Sequence, residues 1–179
     1  MKKLIVLVAV LLAALFVVGC ASKPSAPPAP TGPSAAELLA EAKGKAPMGV
    51  LVGQATGSSQ PAAQTNAQGQ LKRAMNYIAG QLVDAQVSAG RVSSAVSADL
   101  KSNIATALDR GAVENAKRVD SGADGSGRGW AVYSLDKASA LQLITTAADA
   151  AKTVVAAGNF NPSQGYDDAF GRAAAMEWK

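Results

Sequence analysis

Ala112-Val-Glu-Asn-Ala-Lys-Arg-Val-Asp120 leads into Ser121-Gly-Ala-Asp-Gly-Ser-Gly-Arg-Gly129 and then into Trp130-Ala-Val-Tyr-Ser-Leu135. The last part is dense in aromatic and β-branched residues, and the middle is a glycine-rich turn. The first part alternates poorly, but it lies where the returning strand of a hairpin must lie. The whole stretch predicts a β-hairpin with a long tip. A third strand precedes it: Met48-Gly-Val-Leu-Val-Gly-Gln-Ala-Thr56 is a short apolar run between Pro47 and Gly57, the pattern of a strand covered on both faces.

Helical periodicity fills the space around these strands. Ser34-Ala-Ala-Glu37 has the spacing of a capping box and opens a short helix carrying Leu38, Leu39 and Ala42 before Gly44. Ser58-Ser-Gln-Pro61 starts a long helix to about Val87, whose inner face is Leu71, Met75, Ile78 and Leu82. Gly69 and Gly80 fall on its other side with Arg73, Asn76 and Asp84, either as surface glycines or as a place where a second helix or subunit comes close. After Gly90, Val92, Val96, Leu100, Ile104 and Leu108 recur every four residues in a helix expected to stop at Gly111. Asp136 caps a helix with Leu141, Ile144, Ala148, Ala151 and Val155 inward, ending at Gly158. The loop Asn159-Phe-Asn-Pro-Ser163 leads to a C-terminal helix with Tyr166, Phe170 and Trp178 on one stripe. Strand, helices, hairpin and helix in this order predict an α+β domain: a small three-stranded sheet with helices packed on one face.

The start of the chain has a different composition. Lys2 and Lys3 precede an unbroken apolar run of 15 residues, Leu4 to Val18, followed by Gly19 and Cys20. The run is short for a membrane-spanning helix and suits the core of a signal peptide. Val17-Val-Gly-Cys20 has the form of a lipobox, with Val17 in the place usually held by Leu. Residues 1–19 are thus expected to be removed and Cys20 to carry lipid. Two or three acyl chains, at about 0.8 kcal/mol per buried methylene, anchor far better than one. Residues 20–33 form the lipidated cysteine and a stalk with five prolines and no apolar side chain larger than alanine. Such a stalk extends at about 3.1 Å per residue and buries no core. The residue after Cys20 is Ala21 and not the Asp that in enteric bacteria commonly retains lipoproteins in the inner membrane, so outer-membrane delivery is expected, with the periplasmic side favoured.

Composition excludes several classes of function. Without residues 1–19 the chain has 15 basic and 13 acidic side chains, scattered in runs of two at most, which argues against nucleic acid as a partner. It has no histidine, and Cys20 is the sole cysteine. Disulfides within one chain, Cys/His zinc sites, Ser-His-Asp triads and Cys-His pairs are therefore ruled out. The part from Ser34 onward, about 145 residues, is one domain by size.

Val52-Gly-Gln-Ala55 followed by a long alanine-rich helix, then Val119-Asp-Ser-Gly122, a loop and Gly129-Trp-Ala-Val-Tyr133, resembles the LPP-twenty family of twenty-kilodalton bacterial envelope lipoproteins over roughly residues 45–145. The resemblance implies an LPP-twenty-like domain at 34–158 followed by the loop and helix at 159–179. It also implies a structural role in the envelope, in some members within outer-membrane disks around the flagellar motor, and no shared catalytic residues.

No site motif completes itself. Asp120-Ser-Gly-Ala-Asp124-Gly125 has part of a calcium loop, but Gly122 and Ala131 hold the third and twelfth places, and a hairpin tip is the simpler reading. The glycines at 125, 127 and 129 precede a strand instead of opening a helix, unlike a phosphate cradle. Asp167 and Asp168 point to different faces of a helix, which does not suit shared-proton chemistry. Trp130 and Tyr133 lie on opposite faces of their strand and, with Gly69 and Gly80, are the candidate interaction residues, although a tryptophan in this place is more often core than a contact platform. The expected function is that of a non-catalytic, cofactor-free interaction protein anchored through Cys20, with a homo-oligomer or an envelope protein as partner. The alternative is a periplasmic carrier for a small apolar ligand, with a cavity beneath the helices.

Overall fold

In a computed structural model that describes residues 32–178, the three strands form one antiparallel sheet in the order β1-β3-β2: β1 is Val50–Gly57, β2 Lys117–Ala123 and β3 Gly129–Asp136. The helices are α1 (Ala35–Gly44), α2 (Gln60–Ser88), α3 (Ser97–Glu114), α4 (Lys137–Lys152) and α5 (Tyr166–Ala175), with a short 3₁₀ turn at Ser94–Val96. This is the expected α+β architecture. The signal segment 1–19, Cys20 and the stalk as far as Thr31 lie outside the described residues.

The sheet has two unlike faces. On one, Leu51, Ala131, Tyr133 and Leu135 meet Ala63, Ala67, Leu71 and Met75 of α2 in the main core, which α3, α4 and α5 complete. On the other, Trp130 and Val132 meet Ala35 and Ala42 of α1, with Leu38, Leu39, Val52 and Val119 at the margin. The four later helices build up the expected layer, and α1 adds a cover on the opposite face. That explains why β1 reads as a strand apolar on both sides.

The main layer is tight because small residues line it. On Gly53 a Cβ would fall inside the van der Waals shell of the Ala67 carbonyl oxygen, and on Gly129 inside that of the Ser59 carbonyl. On Gly57 it would come 2.6 Å from the Ala63 nitrogen. The obstructing atoms are backbone and cannot rotate away, so glycine at these positions lets α2 lie directly on β1 and β3. Beyond the sheet, α2 continues for several turns, at about 1.5 Å per residue, as the post on which α3 and α5 pack.

Several element boundaries differ from the sequence reading. Helix α3 runs through Gly111 to Glu114, because Gly111 is a close contact and not a stop: a Cβ there would lie 2.9 Å from Leu143 Cδ2 on α4. Strand β2 accordingly starts at Lys117 and not at Ala112, and it continues through Ser121-Gly122-Ala123, so the hairpin tip shrinks to 124–128. Helix α4 ends at Lys152, and Val155 is buried in the turn that follows. Trp178 lies past the end of α5, where its Nε1 donates to the Ala173 carbonyl at 3.0 Å. The loop before α5 is clamped by Gln86, which is buried. Its Nε2 donates to the Asn161 carbonyl at 2.6 Å and its Oε1 accepts from the Asn161 N–H at 2.8 Å.

Gly53→Ala should lower stability by about 1–3 kcal/mol through overpacking. Gly80→Ala, on an open helix surface with no neighbour within 4 Å, should raise it by up to about 1 kcal/mol. Urea unfolding monitored by circular dichroism separates the two. Trp130→Ala should cost about 3–5 kcal/mol in the same assay. Trp130→Phe should cost less, since it keeps a packed ring and removes an indole N–H that bonds no described group.

Candidate functional site

The sheet leaves β1 and β2 as its edges, and they are built differently. β2 carries Lys117, Arg118 and Asp120, and its register with β3 shifts between Arg118 and Asp120. β1 pairs with β3 without a break from Val50↔Asp136 to Gly57↔Gly129 and carries no charge and no proline. Beside β1 lies a groove of about 730 Å³. Its floor is Gln54, Ala55 and Thr56. One wall is the outer side of α1, with Ala36, Leu39, Ala40 and Lys43, and the other is α2, with Thr65, Asn66, Gly69, Gln70 and Arg73. Glu177 and Trp178 close one end, and Trp178 is held edge-on against Tyr77 with ring centroids 5.6 Å apart.

The chemistry of the groove is polar and weakly cationic. Lys43 Nζ sits 3.8 Å from Glu177 Oε1, both side chains being largely exposed. Arg73 is exposed and forms no ion pair with any described residue. Its guanidinium lies alongside Gly69, where a Cβ would be 3.8 Å from Nη1. The Gln54 N–H donates to Gln70 Oε1 at 3.0 Å.

The carboxylates with perturbed acidity serve the fold. Asp124 Oδ1 accepts from the Ser126 hydroxyl and from the N–H groups of Ser126 and Arg128, while Oδ2 accepts from the Ala35 N–H at 3.0 Å. With these donors, the Ser126 hydroxyl foremost, its pKa falls from 3.8 to about 2. One side chain thus shapes the hairpin tip and pins the positive end of the α1 dipole to it. At the other end of α1, Lys45 bonds Asp120 at 3.0 Å and Glu41 at 3.2 Å, which holds the Asp120 carboxyl below its usual range. Asp136 caps α4 through the Ser139 N–H and hydroxyl, which lower its pKa, and Glu37 closes the Ser34 capping box. The two aspartates of the partial calcium loop are therefore both occupied by protein donors. Among the described residues no cluster of three or more carboxylates is arranged to hold a metal ion.

No family model, curated protein or solved structure matches this chain.

Of the candidate interaction residues, Gly69 lines the groove. Gly80 faces open space, and among the described residues no other element comes within 4 Å of where a Cβ would sit on either glycine. Trp130 and Tyr133 are each 8% exposed and occupy core positions, which is the favoured reading for Trp130 and corrects both as interaction candidates. Trp130 packs under α1 with its ring against Gly122, its cross-strand partner, and Tyr133 packs under α2. Cys20 lies outside the described residues. The sequence reading missed the groove because its lining comes from four separated segments. The one local signal was Val52-Gly-Gln-Ala55, where a glycine within a strand points to close backbone approach.

Because the folded-state pKa of Asp124 lies below its ordinary value, its contribution to stability is fully present above about pH 4. It is lost as the pH falls toward about 2. The thermal midpoint should therefore drop between pH 4 and pH 2, and Asp124→Asn should lower the midpoint at pH 7 and flatten that drop. Calorimetric scans across this range would check both.

Proposed function

We propose that the chain is a lipid-anchored bacterial envelope lipoprotein of the LPP-twenty kind, which works without catalysis as a structural or assembly component at the outer membrane. The observation that carries this reading is Cys20, the sole cysteine, placed directly after a charged start, a 15-residue apolar run and a small residue. A proline-rich stalk behind it would hold the domain away from the bilayer. Among the described residues no helix is long and apolar enough to cross a membrane, so in this reading membrane residence rests on the N-terminal lipid.

Two features support an interaction role. The carboxylates with lowered pKa act as acceptors for caps, turns and the α1 clamp, which is architectural work. The layer beneath the helices, where a carrier would hold its ligand, is filled by Leu71, Met75, Ile78, Leu82 and Leu135, all at most 1% exposed. Recognition then falls to the surface.

Cells fed labelled palmitate should incorporate it into the wild-type chain, and the mature N-terminus should be Cys20. Cys20→Ser should lose the label and leave the membrane fraction. Label retained by Cys20→Ser, or a mature chain beginning elsewhere, would overturn the anchor. Crosslinking in intact cells with the lipidated protein should capture an envelope protein or a second copy.

A further inference from the structure

In an antiparallel pair, the backbone groups of alternate residues point toward the partner strand and away from it. The Gln54 N–H bonds the buried Gln70 on α2, so the backbone groups of Gln54, and with it Val52 and Thr56, point away from β3; residues 173–178 flank this side at Val52, and it opens into the groove from Gln54 to Thr56. The alternation points the Gln54 carbonyl and the N–H and carbonyl of Thr56 away from β3 as well, and among the described residues no turn, loop or side-chain hydrogen bond reaches them. These are the groups onto which a further strand assembles, and an edge without charge, bulge or proline does not repel one. β2 has both a charge run and a register shift, so the asymmetry between the edges singles out β1.

We propose that the β1 edge accepts an extended acidic segment of a partner protein as a fourth strand, with its backbone on the Gln54 carbonyl and on the N–H and carbonyl of Thr56 and its carboxylates on Arg73 and Lys43. Strand addition supplies main-chain hydrogen bonds, and alternate side chains of the added strand meet the two walls. One wall bears Arg73 and the other Lys43, with Glu177 the sole acid in the lining. That charge pattern selects the occupant. A second copy docked edge to edge would bring the same net positive lining, Lys43 and Arg73 against the single Glu177, to both sides. The chain's own stalk has five prolines that lack N–H groups, bears Lys23 and contains no acid. Gly69 has a role in this arrangement: with no side chain there, the groove beside the Arg73 guanidinium stays open.

The proposal rests on the interaction reading above but not on the lipid anchor. It can be tested by fluorescence anisotropy with the full-length protein and a labelled peptide of about six residues alternating valine and glutamate. Saturable binding is expected. A lysine-for-glutamate peptide, and a peptide N-methylated at alternate backbone positions, should each bind at least about tenfold more weakly. Arg73→Glu and Gly69→Leu should each lose about tenfold or more while leaving the thermal midpoint near wild type, since both positions are on the open side of α2. Cys20→Ser should bind like wild type, so a failure of the anchor reading would leave this result intact.

No binding by the wild type, equal binding of the lysine peptide, or undiminished binding by Gly69→Leu would overturn the proposal. Equal binding of the N-methylated peptide would mean simple charge attraction and would overturn strand addition. A dimer in sedimentation that Gly69→Leu dissolves would make a second copy the occupant and overturn it as well.

Discussion

The close seating of α2 on β1 and β3 is the constraint on which the rest of the molecule depends. Gly53, Gly57 and Gly129 remove the side chains that would hold the helix off the sheet, and Ala63 and Ala67 do the same from the helix side. Backbone then lies against backbone at the start of α2, while Leu71, Met75, Ile78 and Leu82 carry the apolar burial farther along. At about 25 cal/mol per Å² the long side chains supply most of the hydrophobic stabilisation. The small residues decide where that stabilisation can be collected.

With α2 fixed, the other helices have few choices. α3 packs on its far half, α4 packs on α3, and the close approach at Gly111 allows that second contact. α5 returns to α2 through a loop held by two hydrogen bonds from the buried side chain of Gln86, so that Trp178 arrives beside Tyr77. This last contact closes the groove at one end.

The second face of the sheet is held by other means. α1 is a short helix that buries little, and a helix of its length is marginal on its own. It is secured at one end by Asp124 on its first N–H and at the other by Lys45 between Asp120 and Glu41, with Trp130 beneath. Asp120 and Asp124 belong to the hairpin, so the tip that resembled a ligand loop is a clamp for a helix remote from it in sequence. The same helix supplies one wall of the groove along β1, which links the clamp to the surface proposed for recognition.

Much of this was determined by the sequence alone. The five helices and two of the three strands have local signatures, because apolar periodicity and capping residues act over a few positions: the Ser34 capping box, the stripe from Leu71 to Leu82, Asp136 ahead of α4, and the run from Trp130 to Leu135. β2 was placed only by its position before the turn. The expected lipidation of Cys20 and the exclusion of histidine and thiol chemistry likewise need no structure. Boundaries were less legible where a glycine has two meanings. Gly111 has the look of a helix stop and is a packing contact, and which of these holds depends on Leu143, some thirty residues away. Only the tertiary structure put Tyr133 in the core, placed α1 on the opposite face, and brought Lys43, Gln54, Gly69, Arg73 and Trp178 around one sheet edge. Local propensity carries no record of which distant segments will be neighbours, and the groove consists entirely of such neighbours.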